Sequence, residues 1–180
     1  RLLDICRSGS YSVQKHRLVR VSVDCGGPEP IRHLGLNDIV IKGSVSRITH
    51  LNLYIGGSFV EKFSGDGLLI ASSAGSTAYN YSLGGSIVDP RLNLLQITPI
   101  APMNTTAFRC FTSSIVLPPD LEIHIVPDYE YDRGALVVVD GMEYDYAELA
   151  RMTIDLAPAE IRLVRLQHYD FWNKVKTKFL

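Results

Sequence analysis

Gly65-Asp66-Gly67-Leu68-Leu69-Ile70-Ala71-Ser72-Ser73-Ala74-Gly75-Ser76-Thr77-Ala78-Tyr79 runs from a turn signal through an apolar stretch into a small-residue turn. Gly75-Ser76-Thr77 then steps into a short helix predicted over Ala78 to Leu83, closed by Gly84-Gly85. Strand, turn and helix start aim backbone N–H groups and hydroxyls at one point, which suits phosphates or ribose hydroxyls. The same residues fit a plainer role: Ser76 or Thr77 as an N-cap and Asp66-Gly67 as a hairpin turn. Local chemistry leaves both readings open.

On either side the chain reads as short strands. Leu18 to Val23 alternates and is β-branched, and Gly26-Gly27-Pro28-Glu29-Pro30 breaks it. Leu34 to Ile41 predicts a second strand with Asn37 and Asp38 in its middle. Burying such a pair without partners costs roughly 1–3 kcal/mol each. The pair therefore meets either solvent at a strand end or a ligand. Ile48 to Ile55 alternates again, and Gly56-Gly57 turns it into Phe59 to Phe63 as a hairpin. Downstream, Leu94 to Thr98 is a strand ended by Pro99. Ser114 to Leu117 and Leu121 to Val126 follow at hairpin distance, and Ala135 to Tyr144 is a tight hairpin on Asp140-Gly141. Met152 to Leu156 and Ile161 to Leu166 complete the set. Short strands with turn signals roughly every eight to twelve residues predict a mainly β fold of two packed antiparallel sheets, a sandwich or prism. One short internal helix joins them. Phe171 to Leu180 predicts an amphipathic C-terminal helix or arm, and Arg1 to Tyr11 the tail of a helix followed by a turn. No linker divides residues 1–180, so one domain is expected.

Composition narrows the function. With 18 basic and 19 acidic residues the net charge is −1, which argues against broad binding of nucleic acid. Cys6, Cys25 and Cys110 are odd in number and lack Cys-x-x-Cys spacing, and the five histidines are scattered. A disulfide framework or metal site is not expected, and a reducing, cytoplasmic location is. No apolar run reaches membrane-spanning length, so no membrane partner is expected. An opening on arginine suggests that further sequence precedes it. The Gly-x-Ser-x-Gly elbow, the Walker loop and the Gly-x-Gly-x-x-Gly fingerprint are all missing. What remains is a polar set: Asn37, Asp38, Asp66, Ser76, Thr77, Tyr79 and Ser82. Carboxylates accept paired ribose hydroxyls, and Tyr79 offers a ring for stacking. A nucleotide suits these groups, and so does a sugar.

In combination these motifs resemble the NAD kinase family. Asp66-Gly67 stands ahead of Gly75-Ser76-Thr77-Ala78-Tyr79, and Ser82-Leu83-Gly84-Gly85-Ser86-Ile87-Val88-Asp89-Pro90 follows. Ile97-Thr98-Pro99-Ile100-Ala101-Pro102, Leu36-Asn37-Asp38, Val139-Asp140-Gly141 and Phe171-Trp172 fit the family in order and spacing. The resemblance covers essentially the whole chain and matches the family's C-terminal, β-rich domain.

It implies an enzyme that moves a phosphoryl group from ATP, or in some members polyphosphate, to the 2′-hydroxyl of NAD's adenosine ribose, giving NADP; the alternatives are a non-catalytic dinucleotide-binding module and a related lipid kinase domain. Magnesium or another divalent metal accompanies the donor, and such proteins are commonly dimers or tetramers. By the same resemblance Asn37 and Asp38 hold the adenosine part, with the Asp38 carboxylate on ribose hydroxyls. Thr77, Ala78 and Ser82 line the adenine site, Tyr79 packs on the ligand, and Asp66 meets the nicotinamide end. Ala101 and Phe108 lie where a neighbouring subunit completes the pocket. Three departures stand out. The family's Gly-Gly-Asp-Gly motif, which carries its activating aspartate, belongs to the N-terminal domain; Ser64-Gly65-Asp66-Gly67 is the second aspartate motif, so no catalytic residue is expected in these 180. Asp38 replaces glutamate. Ser72-Ser73-Ala74 replaces Thr-Pro-Thr, which predicts a looser turn before Gly75.

Overall fold

Alternation in Val19-Arg20-Val21-Ser22-Val23 sends one row of side chains inward and the other outward, and all three valines are fully buried. The same device recurs along a computed structural model that describes the chain outside residues 1, 45–47, 107–108, 132, 167–168 and 180. In order the elements are α1 (Leu2–Ser8), β1 (Tyr11–Asp24), β2 (Ile31–Gly35), β3 (Asp38–Lys42), β4 (Thr49–Ile55), β5 (Ser58–Gly65) and β6 (Gly67–Ser72). A 3-10 turn (Ala74–Thr77) leads into α2 (Tyr79–Ser82). Then come β7 (Leu95–Ile100), β8 (Ile115–Leu117), β9 (Ile123–Pro127), β10 (Ala135–Val139), β11 (Met142–Tyr146), β12 (Arg151–Leu166) and α3 (Phe171–Phe179).

The strands form two six-stranded antiparallel sheets, β2-β1-β12-β9-β4-β5 and β11-β10-β3-β6-β7-β8. Their inner faces share one core, in which Ile41, Leu53, Phe63, Ile70, Ile97 and Ile125 are fully buried. The expected mainly β, two-sheet architecture is the observed one. The second sheet is covered on its outer face too. Val40, Leu69, Ala71 and Ile100 form a smaller apolar cluster there, with Leu83 and Val138 against it. This is why β6 and β7 are buried at every position and read as continuous apolar runs.

Several local expectations change. Leu34 to Ile41 is two strands in different sheets, so Asn37 and Asp38 lie where the chain crosses between them. Asp66-Gly67 is likewise a crossing from β5 to β6 rather than a hairpin. β8 and β9, though close in sequence, also belong to different sheets. β7 continues through Pro99, which pairs with Leu68. β8 pairs with β7 only as far as Ile97, leaving an edge beyond it where proline is tolerated. The last two predicted strands are one, β12. Its partner β1 matches Arg17 to Glu160 and Val19 to Leu156, so Pro158 falls in a bulge. Arg17 donates to the carbonyls of Ala157 (3.1 Å) and Leu156 (2.6 Å), which satisfies the disrupted ladder.

The C-terminal helix docks beside the central motif. Val175 is buried, the Phe179 ring lies 4.3 Å from that of Tyr81, and Trp172 Nε1 donates to Asp89 (3.3 Å). Arg91 pairs with the same carboxylate and, with the Trp172 bond, holds it far below the usual carboxylate range.

Candidate functional site

Leu36-Asn37-Asp38 leaves one sheet for the other, so its backbone needs partners outside a regular ladder. Two residues supply one for every N–H and C=O. The Asp140 carboxylate accepts from the N–H groups of Leu36 (2.6 Å), Asn37 (2.8 Å) and Asp38 (3.1 Å). Asp140 N–H donates in turn to the Asp38 carbonyl (3.1 Å). Ser72 Oγ donates to the Leu36 carbonyl (2.6 Å), and Ser72 N–H to that of Asn37 (2.9 Å). With its backbone saturated, the loop presents the side chains of Asn37 and Asp38.

The turn behind it is tied rather than loosened. Ser72 Oγ accepts from Gly75 N–H (3.3 Å), and Ser73 Oγ donates to the Leu92 carbonyl. Thus two of the residues that depart from Thr-Pro-Thr act as anchors. Neither Ser76 nor Thr77 caps a helix. The fully buried Ser76 Oγ instead bonds Val88, donating to its carbonyl (3.3 Å) and accepting from its N–H (3.1 Å). The predicted helix is a 3-10 turn followed by a single α turn, too short for a helix-terminus anion site.

What fixes α2 is a buried polar network. Asn80 is fully buried; its amide donates to the carbonyls of Ser76 and Ser86 (both 3.4 Å), and its Oδ1 accepts from Thr98 Oγ1 (2.7 Å). Gln96 pairs its side-chain amide with the backbone of Ser86, accepting from N–H (2.7 Å) and donating to C=O (3.1 Å). The motif thereby lies across the outer face of β6 and β7. Asn80, Gln96, Ser72 and Asp140, which hold these segments in place, are not among the candidate site residues of the sequence. A signal was present for Gln96 and Thr98, polar residues alternating inside an apolar strand.

Asp38 is the chemically unusual member. It is 7% exposed, pairs across the ladder with Ala71 and shares the outer face of the sheet. Burial first, then the neighbouring Asp140 charge, pushes its carboxyl up to about 6. Among the described residues nothing donates a hydrogen bond to that carboxylate.

The predicted residues fall into two groups. Gly75 lies against the Asn37 backbone, and Thr77 and Ala78, both half-buried, follow it in the chain. Tyr79 and Ser82 follow on α2, both exposed. Asp66 and Ala101 stand together at the opposite end. Asp66 N–H donates to the Ile100 carbonyl (2.9 Å), and Ala101 adopts a left-handed φ of 43° beside Gly65. Asp38 pairs with Ala71, five residues from Asp66, so β6 separates the groups by about 16 Å. Phe108 lies outside the described residues. A cavity of about 420 Å³ opens elsewhere, between Gln14, Asp89, Arg165 and Trp172, and no predicted site residue lines it.

The model of a known family, the ATP-NAD kinase C-terminal domain, matches residues 36–166, from the Asn37–Asp38 loop to the end of β12. The chain belongs to the NAD kinase family. An NAD kinase of Lactobacillus johnsonii is 35% identical over all 180 residues, which make up 66% of that protein. One from Lactobacillus gasseri is 36% identical over the same span. NAD kinase 2 of Listeria monocytogenes is 35% identical over 147 residues, 81% of this chain and 55% of its own. The chain thus spans just under two thirds of the length of the first two of these relatives. Two solved structures share the fold. Yeast NADH kinase complexed with NADH superposes with a TM-score of 0.83 at 23% identity, covering 98% of this chain and 51% of the other. An NAD kinase from Archaeoglobus fulgidus in complex with ATP gives 0.72 at 24% identity, with 98% and 64% covered.

Proposed function

We propose that this domain binds NAD for an enzyme that phosphorylates the 2′-hydroxyl of the adenosine ribose, forming NADP in the cytoplasm. ATP is the favoured donor, with polyphosphate the other. The observation that carries the reading is Asp38, a nearly buried carboxylate to which no described residue donates a hydrogen bond. A ribose diol would bring two O–H donors to such an acceptor. Asn37 would fix the adenosine beside it, Thr77, Ala78 and Ser82 would bound the base, and Tyr79 would pack on it. Asp66 and Ala101, at the far end of β6, suit the nicotinamide half and a neighbouring copy in a dimer or tetramer. Magnesium would travel with the donor phosphates. Among the described residues no group of three or more His, Cys, Asp or Glu is placed to hold a metal ion. Nor, among them, is any helix long and apolar enough to cross a membrane. The test is calorimetric titration with NAD and NADP beside ATP alone, in the wild type and in Asp38→Asn. Saturable dinucleotide binding that disappears in Asp38→Asn is expected; binding that survives the substitution unchanged overturns the assignment.

A further inference from the structure

We infer that Asp140, at the tip of the β10–β11 hairpin, is the positioning residue for the Asn37–Asp38 pair. The inference rests on the NAD-site reading and adds a residue that the reading does not use.

A hairpin turn of this kind needs two residues with positive φ, and Asp140 (47°) with Gly141 (86°) provides them. The turn does not need a carboxylate; asparagine or glycine serves it as well. Yet both carboxylate oxygens are engaged, and not within the hairpin. They collect three successive N–H groups from a loop more than a hundred residues away, at 2.6, 2.8 and 3.1 Å. A negative acceptor suits three converging donors better than a neutral one. Four of the six backbone groups of Leu36-Asn37-Asp38 depend on this one residue. Gly35 packs the arrangement tightly: a Cβ there would lie 3.0 Å from Val139 Cγ1 and 3.3 Å from Asp140 Oδ1. Asp140 therefore sets where the Asn37 and Asp38 side chains emerge without touching a ligand itself.

Its charge has a second effect. The strand beside Asp38 offers Ala71 and the adjoining turn offers Gly75, neither charged. Among the described residues Asp140 is the charged group whose field bears on the Asp38 carboxyl, and it opposes ionisation. The same residue fixes the Asp38 carboxyl in space and raises the pH at which it ionises.

Asp140→Asn tests both effects, because asparagine keeps the turn but turns an N–H₂ toward an N–H donor. In the full protein carrying this domain, the expected results are faster amide exchange at Leu36, Asn37 and Asp38, about tenfold weaker NAD binding near neutral pH, and an Asp38 titration midpoint below the wild-type one. A role confined to the turn would leave all three unmoved. Asp140→Gly, which keeps the positive φ with no side chain, replaces the asparagine variant should that one fail to fold. A folded variant with wild-type exchange, affinity and midpoint overturns the inference. If the wild type itself does not bind NAD, the functional reading falls; exchange and the Asp38 titration need no ligand and still decide whether Asp140 holds the loop.

Discussion

A Cβ placed on Gly75 would lie 2.0 Å from the carbonyl oxygen of Asn37. That oxygen already accepts the N–H of Ser72, so it cannot yield without breaking a buried bond. The glycine is required by the approach of two backbones. Gly75→Ala should destabilise the domain by about 3 kcal/mol, the upper end of usual overpacking costs. It should also abolish NAD binding, because the loop that moves carries Asn37 and Asp38. Denaturant unfolding with a parallel NAD titration checks both.

Thr98 and Asn80 make the comparable test beneath α2. Thr98→Val keeps the shape but leaves Asn80 Oδ1 without its 2.7 Å donor. The expected loss is about 1–3 kcal/mol, the cost of an unsatisfied buried acceptor. NAD affinity should fall with it, since Asn80 anchors the turn bearing Tyr79 and Ser82. Wild-type stability in urea would remove the network from the account.

Asp38 links pH to both stability and binding. Its folded pKa, about 6, lies above the ordinary 3.8, so the folded state holds the proton more tightly than the unfolded one. Stability therefore falls as pH rises from about 4 to about 6 and stays lowered above that, by on the order of 3 kcal/mol for this group. NAD affinity should move the other way, rising through the same window as the acceptor ionises. Asp38→Asn should be more stable than wild type near neutral pH and bind NAD poorly. Melting curves and calorimetry across pH 4 to 8 would show the opposed trends; parallel trends would refute the assignment of Asp38.

Asp66 is exposed, so Asp66→Ala should leave the free energy of unfolding within about 0.5 kcal/mol of wild type. It should nonetheless weaken dinucleotide binding while sparing adenosine, because Asp66 lies at the far end of β6. Equal loss for NAD and adenosine would place it in the wrong half of the site.

The 180-residue chain by itself should form no measurable NADP, because it contains no Gly-Gly-Asp-Gly motif. Steady turnover by that chain, followed through NADP production, would move the activating carboxylate into this domain.

The two-sheet fold was legible because alternation and turn chemistry are local properties. Val19, Val21 and Val23 alternate, and Asp140-Gly141 turns, whatever lies across from them. Sheet membership was not legible. Leu34 to Ile41 reads as one strand because nothing in eight residues reveals that Gly35 and Asp38 pair with different neighbours. Pro99 reads as a stop because its tolerance depends on β8 ending at Ile97. At the site, Asn37 and Asp38 stood out as polar residues without local partners. Ser72 and Asp140 did not, since their partners are 36 and about a hundred residues away. The family resemblance supplied ligand roles, and the structure adds the supports that hold those residues in place.

β1 finds its main partner at the far end of the chain, with Tyr11 opposite Leu166. Such pairing sets the order in which the molecule can assemble. The ladder holding the Asn37–Asp38 loop is complete once Tyr146 has emerged, whereas β1 waits beside β2 with its other edge open until the last strand is made. During synthesis at about 5–20 residues per second, that wait lasts on the order of ten seconds. Long-range pairing of this kind folds slowly and leaves a strand edge available to other chains. Because the two sheets share one core, neither is fully covered until β12 has joined, and until then the open edge of β1 is where association with another chain would begin.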